Sequence, residues 1–137
     1  MKKILIVLLV LPLLMSLSLK TTEKLVGEWE GKENNTAFSL IFDEEGYMYY
    51  RQNDEIKGGK EFVSKGKTVT LAYKLDKTTD PYQLDFIFTD HDTAKTKMAY
   101  GIVKFINEDV IEISIGSLDQ RPSDFTEGDA LIFNRKK

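Results

Sequence analysis

Asp90-His91-Asp92 carries the only imidazole of the 137-residue chain, set between two carboxylates. Those ligand types suit a divalent metal. On an extended stretch, however, neighbouring side chains point to opposite sides and do not converge on one ion. There is no cysteine and no second histidine to complete a site, so no metal or other cofactor is expected. The acidic groups Asp43-Glu44-Glu45, Asp54-Glu55 and Glu108-Asp109 raise two further chemistries. A calcium loop alternates oxygen ligands around a central glycine, which none of them does. A glycosidase needs two carboxylates at a set separation in space, and no pair stands out. Nucleophilic catalysis lacks a Gly-x-Ser-x-Gly elbow and has one loop histidine. Thiol chemistry lacks its atom. These residues argue for a protein that binds and does not catalyse.

Two clusters are built for contact. Arg121-Pro122-Ser123-Asp124-Phe125 is the most distinctive loop. Either Arg121 meets an anionic ligand or partner, or the loop is structural. In the structural case Pro122 stiffens it, Ser123 or Asp124 bonds to local backbone, and Phe125 plugs the interior. Tyr47-Met48-Tyr49-Tyr50 is the densest aromatic run. On a strand Tyr47 and Tyr49 share one face. They form a contact rim, or the run packs across to Phe38, Leu40 and Phe42 on a neighbouring strand.

The elements that position these residues are strands. Val69, Leu71, Tyr73 and Leu75 alternate with Thr68, Thr70, Ala72 and Lys74. Ile111, Ile113 and Ile115 alternate with Glu112 and Ser114, and Tyr82, Leu84, Phe86 and Phe88 share one side. Such period-two runs, rich in β-branched and aromatic residues, predict half-buried antiparallel strands. Nine are expected, at 27–32, 36–42, 47–52, 59–64, 68–75, 82–89, 97–106, 110–116 and 130–135. Turn residues separate them at hairpin spacing, except for the long connection 117–129. Residues 21–26 are expected to form one helical turn, capped by Thr21 or Thr22. An all-β fold follows, an antiparallel barrel of eight or nine strands, with a sandwich as the alternative.

Residues 1–18 belong to a different physics. Lys2 and Lys3 precede an apolar run interrupted by Pro12, and Ser16-Leu17-Ser18 offers small residues for a cut. This is the pattern of a secretory signal peptide. The run is shorter than the roughly 20 residues a spanning helix needs. Export to the periplasm or medium is expected, with no stable membrane span after cleavage. Residues 19–137 then form the one domain, with 17 positive and 22 negative side chains. That mild acidity disfavours nucleic acid or an anionic membrane surface as main partner.

Gly27-Glu28-Trp29 at the start of the first strand resembles the lipocalin signature, and Arg135 matches the arginine that in that family lies over the tryptophan. The resemblance implies that Gly27, Trp29 and Arg135 close one end of a barrel. Gly101-Ile102-Val103, Arg121-Pro122-Ser123-Asp124-Phe125 and Glu127-Gly128-Asp129-Ala130-Leu131 look like a lipocalin-like domain of secreted bacterial proteins, a family largely without assigned function. This chain departs from that pattern at Val103, where an aromatic is usual, and at Ser123, where threonine is. No catalytic residue is implied. The expected function is binding of a small apolar or amphipathic ligand inside the barrel. Arg121, Phe125, Tyr47 and Tyr49 are the candidate contacts. The alternative is a filled barrel that acts through a protein partner, as an immunity or inhibitor protein would.

Overall fold

Every alternating run becomes a strand, and the strands close into one antiparallel barrel. The computed structural model describes residues 23–117, 119–127 and 129–137; the signal-peptide segment lies outside them. The strands are β1 (Gly27–Glu33), β2 (Thr36–Phe42), β3 (Met48–Gln52), β4 (Glu55–Ser64), β5 (Lys67–Asp76), β6 (Tyr82–Asp90), β7 (Thr96–Asn107), β8 (Val110–Ile115) and β9 (Leu131–Arg135). Each pairs with its neighbour in sequence, and β9 returns to β1 through Trp29↔Arg135 and Glu30↔Asn134. The expected helical turn is absent: residues 23–26 are irregular, and residues 21 and 22 lie outside the described set. Four residues gain only one hydrogen bond for the first turn they fix, and here their backbone carbonyls are taken by side chains from elsewhere.

Nine strands pose a parity problem. In a closed ring of strictly alternating directions, an odd count would leave the last pair parallel, yet β1 and β9 are antiparallel. The structure resolves this at β4. Its first part pairs with β3, from Gln52↔Glu55 to Tyr49↔Gly58. Its second part pairs with β5, from Gly59↔Leu71 to Ser64↔Lys67, with a register shift between Gly59 and Phe62. Between the parts, Gly58 (φ +118°) and Gly59 (φ +80°) turn the chain through a conformation L side chains rarely adopt. β3 and β5 then meet directly, through a Tyr47↔Ala72 bridge and a Tyr73 N–H to Gly46 carbonyl bond of 2.9 Å. β4 is a folded corner, and the barrel closes as if it had eight strands.

That corner also explains a difference from expectation. β4 begins at Glu55, four residues before the run at 59–64. The expected strand begins at Gly59, whereas Gly58-Gly59 bends one continuous strand. Asn53 and Asp54, with φ of 51° and 62°, form the preceding two-residue turn. Asn34-Asn35 and Lys65-Gly66 are of the same type, whose twist matches that of the flanking strands.

The core is asymmetric along the axis. Trp29, Phe42, Leu84, Phe86, Ile111 and Val103 are almost wholly buried. Phe42 meets Tyr73 edge-on at 4.9 Å, and Trp29 meets Phe105 edge-on at 6.2 Å. This set fills the end where β1 begins and β9 finishes. The hairpin turns 33–36, 52–55 and 64–67 and the loop 90–96 surround the other end.

The corner makes a prediction. A Cβ at Gly58 would stand 2.4 Å from the Met48 carbonyl oxygen, whereas one at Gly66 meets nothing within 4 Å. Gly58→Ala should lose at least about 2 kcal/mol of unfolding free energy in urea, and Gly66→Ala about 1 kcal/mol, the cost of the left-handed backbone alone. Equal losses would remove the corner's special role.

Candidate functional site

The closed end is held by one side chain. Arg135 ends β9 with its guanidinium carbon 4.2 Å from the centre of the Trp29 ring. The geometry is that of a cation–π contact, worth roughly 0.5–2 kcal/mol. Its nitrogens donate to the carbonyls of Val26 (3.0 Å), Lys24 (2.6 Å) and Glu108 (3.0 Å), and Nε lies 3.2 Å from Asp109 Oδ1. Trp29 Nε1 donates to the Leu25 carbonyl at 2.8 Å. Glu23 is held from the opposite wall, since Tyr82 donates its hydroxyl to Glu23 Oε2 at 2.5 Å and Lys77 bonds the Glu23 carbonyl. Residues 23–26 therefore lie strapped across this end. Gly27 is required beside them, because a Cβ there would sit 2.7 Å from Arg135 Nη1.

The open end carries two cavities. One, of about 390 Å³, runs from Glu33, Ile115 and Asp129 at the rim down to Leu40 and Met48. Its walls are Phe38, Tyr50, Ile113, Leu131 and Phe133. Phe38 and Tyr50 stack there at 5.3 Å. The other, of about 410 Å³, has Val69 and Phe88 for its apolar wall, with Ser64, Lys65, Asp90, Lys95, Thr96 and Lys97 around it. Both volumes fall in the range of small-molecule sites, roughly 300–1,000 Å³.

The four candidate contact residues lie elsewhere. Tyr47 and Tyr49 occupy the outer face of the wall, since Tyr49 pairs with Ile41 and Gly58 while Met48 and Tyr50 point inward. Burial first, then the Asp43 carboxylate, pushes the Tyr49 phenol above its ordinary pKa. Arg121 and Phe125 belong to the long connection after β8, and this connection lies against the outside of β6–β8. Arg121 pairs with Asp85 through both carboxylate oxygens, Nη2–Oδ2 at 3.1 Å, and donates to the Gly101 carbonyl at 2.8 Å. Its guanidinium stands 5.2 Å from the Tyr100 ring centre. Phe125 receives the Lys104 ammonium over its ring at 4.9 Å. It does not plug the barrel, as Lys104 points outward from β7. Beneath the connection, Ile102 and Ser114 are 2% and 0% exposed although both face out of the barrel.

Two side chains hold the connection's own turn. Asp124 Oδ1 accepts from the Thr126 hydroxyl and N–H, and the Glu127 carboxylate accepts from the Ser123 hydroxyl and N–H. These bonds, led in each case by the side-chain hydroxyl, hold both carboxyls below their usual pKa. His91 is used locally: its Nε2 lies 2.6 Å from Thr70 Oγ1 and its N–H donates to the Thr68 carbonyl. Asp90 faces Lys67 at 3.3 Å. Among the described residues no group of three His, Cys, Asp or Glu is placed to hold a metal, and no helix is long and apolar enough to cross a membrane.

Met48 and Tyr50 of the aromatic run, with Phe38 and Leu40 on the neighbouring strand, do line the first cavity, but Lys97 and Leu131 are residues that composition does not single out. Their signal was their place on the inward face of a strand near an open turn. No family model matches the chain, and none of the curated proteins or solved structures compared with it matches either.

Two outcomes follow from the outer connection. Arg121→Ala and Asp85→Ala should each lower stability by about 2 kcal/mol, the range for hydrogen bonds to charged groups. A double-mutant cycle should give a coupling above about 1 kcal/mol, and additive losses would dissolve the pair. For Asp124 and Glu127, the folded pKa lies below the unfolded value. Their contribution is therefore present above the usual carboxylate range and is lost as pH falls through the depressed folded values. The Ser123 and Thr126 amide resonances should accordingly titrate with midpoints below those of the free carboxyls.

Proposed function

We propose that this chain is an exported lipocalin-like barrel that binds a small apolar or amphipathic molecule and catalyses no reaction. The observation that carries the reading is the cavity of about 390 Å³ that opens between Phe38, Leu40, Met48, Tyr50, Leu131 and Phe133. A barrel of about eight strands is just wide enough either to fill with side chains or to hold one small ligand. Here one end is filled and the other is not. An apolar wall of this size, exposed to water for no purpose, forgoes burial worth about 25 cal/mol for each Å². The lipocalin resemblance at Gly27-Glu28-Trp29 and Arg135 supports the same reading, as does the Arg135–Trp29 stack at the closed end. Export rests on the sequence of residues 1–18. The absence of catalysis rests on composition: the chain has one histidine, no cysteine and no nucleophile motif.

Arg121 and Phe125 fit a partner-binding role less well, because both are engaged with the barrel's own wall.

Native mass spectrometry of the protein purified from its own envelope should show the 119-residue chain carrying one small molecule. Leu131→Trp, which puts an indole into the cavity, should appear without it while keeping the wild-type circular dichroism. A bare wild-type chain, or one that carries a protein partner in place of a small molecule, overturns the proposal.

A further inference from the structure

The second cavity differs from the first in charge, and this difference identifies its ligand more closely. Three lysines, Lys65, Lys95 and Lys97, line it above an apolar wall of Val69 and Phe88. The one carboxylate among them, Asp90, is already used: Lys67 faces its Oδ2 at 3.3 Å, and its Oδ1 accepts the Asp92 N–H at 2.9 Å. Among the described residues no ion pair engages Lys65, Lys95 or Lys97. The rim of the first cavity carries Glu33 and Asp129. In a chain of net charge −3, three uncompensated cations around one apolar hollow run against the average.

Lysine placement there is also locally unfavourable. Three hairpin turns of the same type cap this barrel. Their first central residues are Asn34, Asn53 and Lys65, with φ of 50°, 51° and 51°. Asparagine tolerates that left-handed backbone and lysine does not, at a cost of about 1–2 kcal/mol. Lys97 is the second anomaly. It pairs with Phe88 and so stands on the inward face of β7, where the same strand next presents Ala99, Gly101, Val103 and Phe105. Local rules of propensity and patterning break most often where a site needs them broken.

Building on the binding function above, we propose that the cavity beside Lys65, Lys95 and Lys97 takes a single-chain amphiphile with an anionic head. The chain lies on Val69 and Phe88, and the head stays at the rim among the three ammonium groups. Lysine stems suit this arrangement, because they cover apolar surface while their heads stay wet. A cationic head would meet like charge, and a neutral one would gain nothing from the rim.

Titration calorimetry with decanoate and 1-decanol at pH 7.5 separates the possibilities. Decanoate should bind at least tenfold more tightly than 1-decanol. Its affinity should fall as sodium chloride rises from about 50 to 500 mM, because screening shortens the reach of the rim charges, while that of 1-decanol should hold. Lys95→Gln with Lys97→Gln should bring decanoate to the level of the alcohol, and Lys57→Gln, on the far side of the corner, should change neither. Equal binding of acid and alcohol, or decanoate binding untouched by the double substitution, overturns the anionic assignment and leaves the apolar cavity standing. Binding of neither overturns both.

Discussion

Only two residue pairs join β1 to β9, Trp29 with Arg135 and Glu30 with Asn134. Without this seam the sheet would have two free edges, each a row of unpaired backbone groups ready to pair with another chain. Two pairs are a slender closure, and the chain reinforces them at both residues. Arg135 lies on the Trp29 ring and reaches three carbonyls. Glu28, one residue before Trp29, draws in Arg51 of β3 at 2.6 Å and Lys136 at 3.3 Å, and the Lys136 N–H returns to the Glu28 carbonyl at 2.8 Å. Arg135 and Lys136 thus reinforce the seam that turns a sheet into a barrel.

Closure at that seam sets the parity that the rest of the wall must obey. With β1 and β9 antiparallel, one of the remaining strands has to drop out of the alternation. Gly58-Gly59 is where that happens, because only residues without a Cβ tolerate φ values of +118° and +80° against the Met48 carbonyl and the Tyr49 ring. The Arg135–Trp29 stack and the glycine pair are distant in sequence and belong to one topological requirement. The asymmetry of the core follows from the same plan. Trp29, Phe42, Leu84 and Phe86 fill the end the seam seals, and the hairpin turns leave the far end unfilled.

Much of this was legible in the chain, because a half-buried strand writes its two faces into alternate residues. Alternation gives the strands around Leu71, Leu84 and Ile113 with the sides those residues take, and the spacing of turn residues gives the others. The corner was hidden because a glycine pair has the same local appearance whether it ends a strand or folds one. The outer connection was hidden for a different reason: period two tells which face a residue takes and not what covers that face. Ile102 carried the missing signal. Gly101-Ile102-Val103 is apolar on two successive positions, so both faces of β7 are covered there, one by the core and one by the connection that holds Pro122. Asp85, placed outward on β6, is the partner that Arg121 needs. Without spatial pairing neither residue points to the other, and Arg121 leaves a ligand contact open beside its structural reading.

A barrel filled at one end and open at the other imposes an orientation on whatever enters it. Leu84, Phe86 and Ile111 offer no hydrogen-bonding side chain, so a polar group pushed toward them would lose its water and gain no partner, at about 1–3 kcal/mol. Polar atoms of an occupant are better left at the rim, beside Ser64, Thr96 and the lysines on one side and Glu33 and Asp129 on the other. On the proposed binding function, the wall would favour molecules with one apolar end over those polar at both, before any specific contact is considered. No buried side-chain nitrogen or oxygen among the described residues lacks a partner. Any discrimination among amphiphiles would then fall to the rim, where a lysine or a carboxylate can change without disturbing the packed end that the seam depends on.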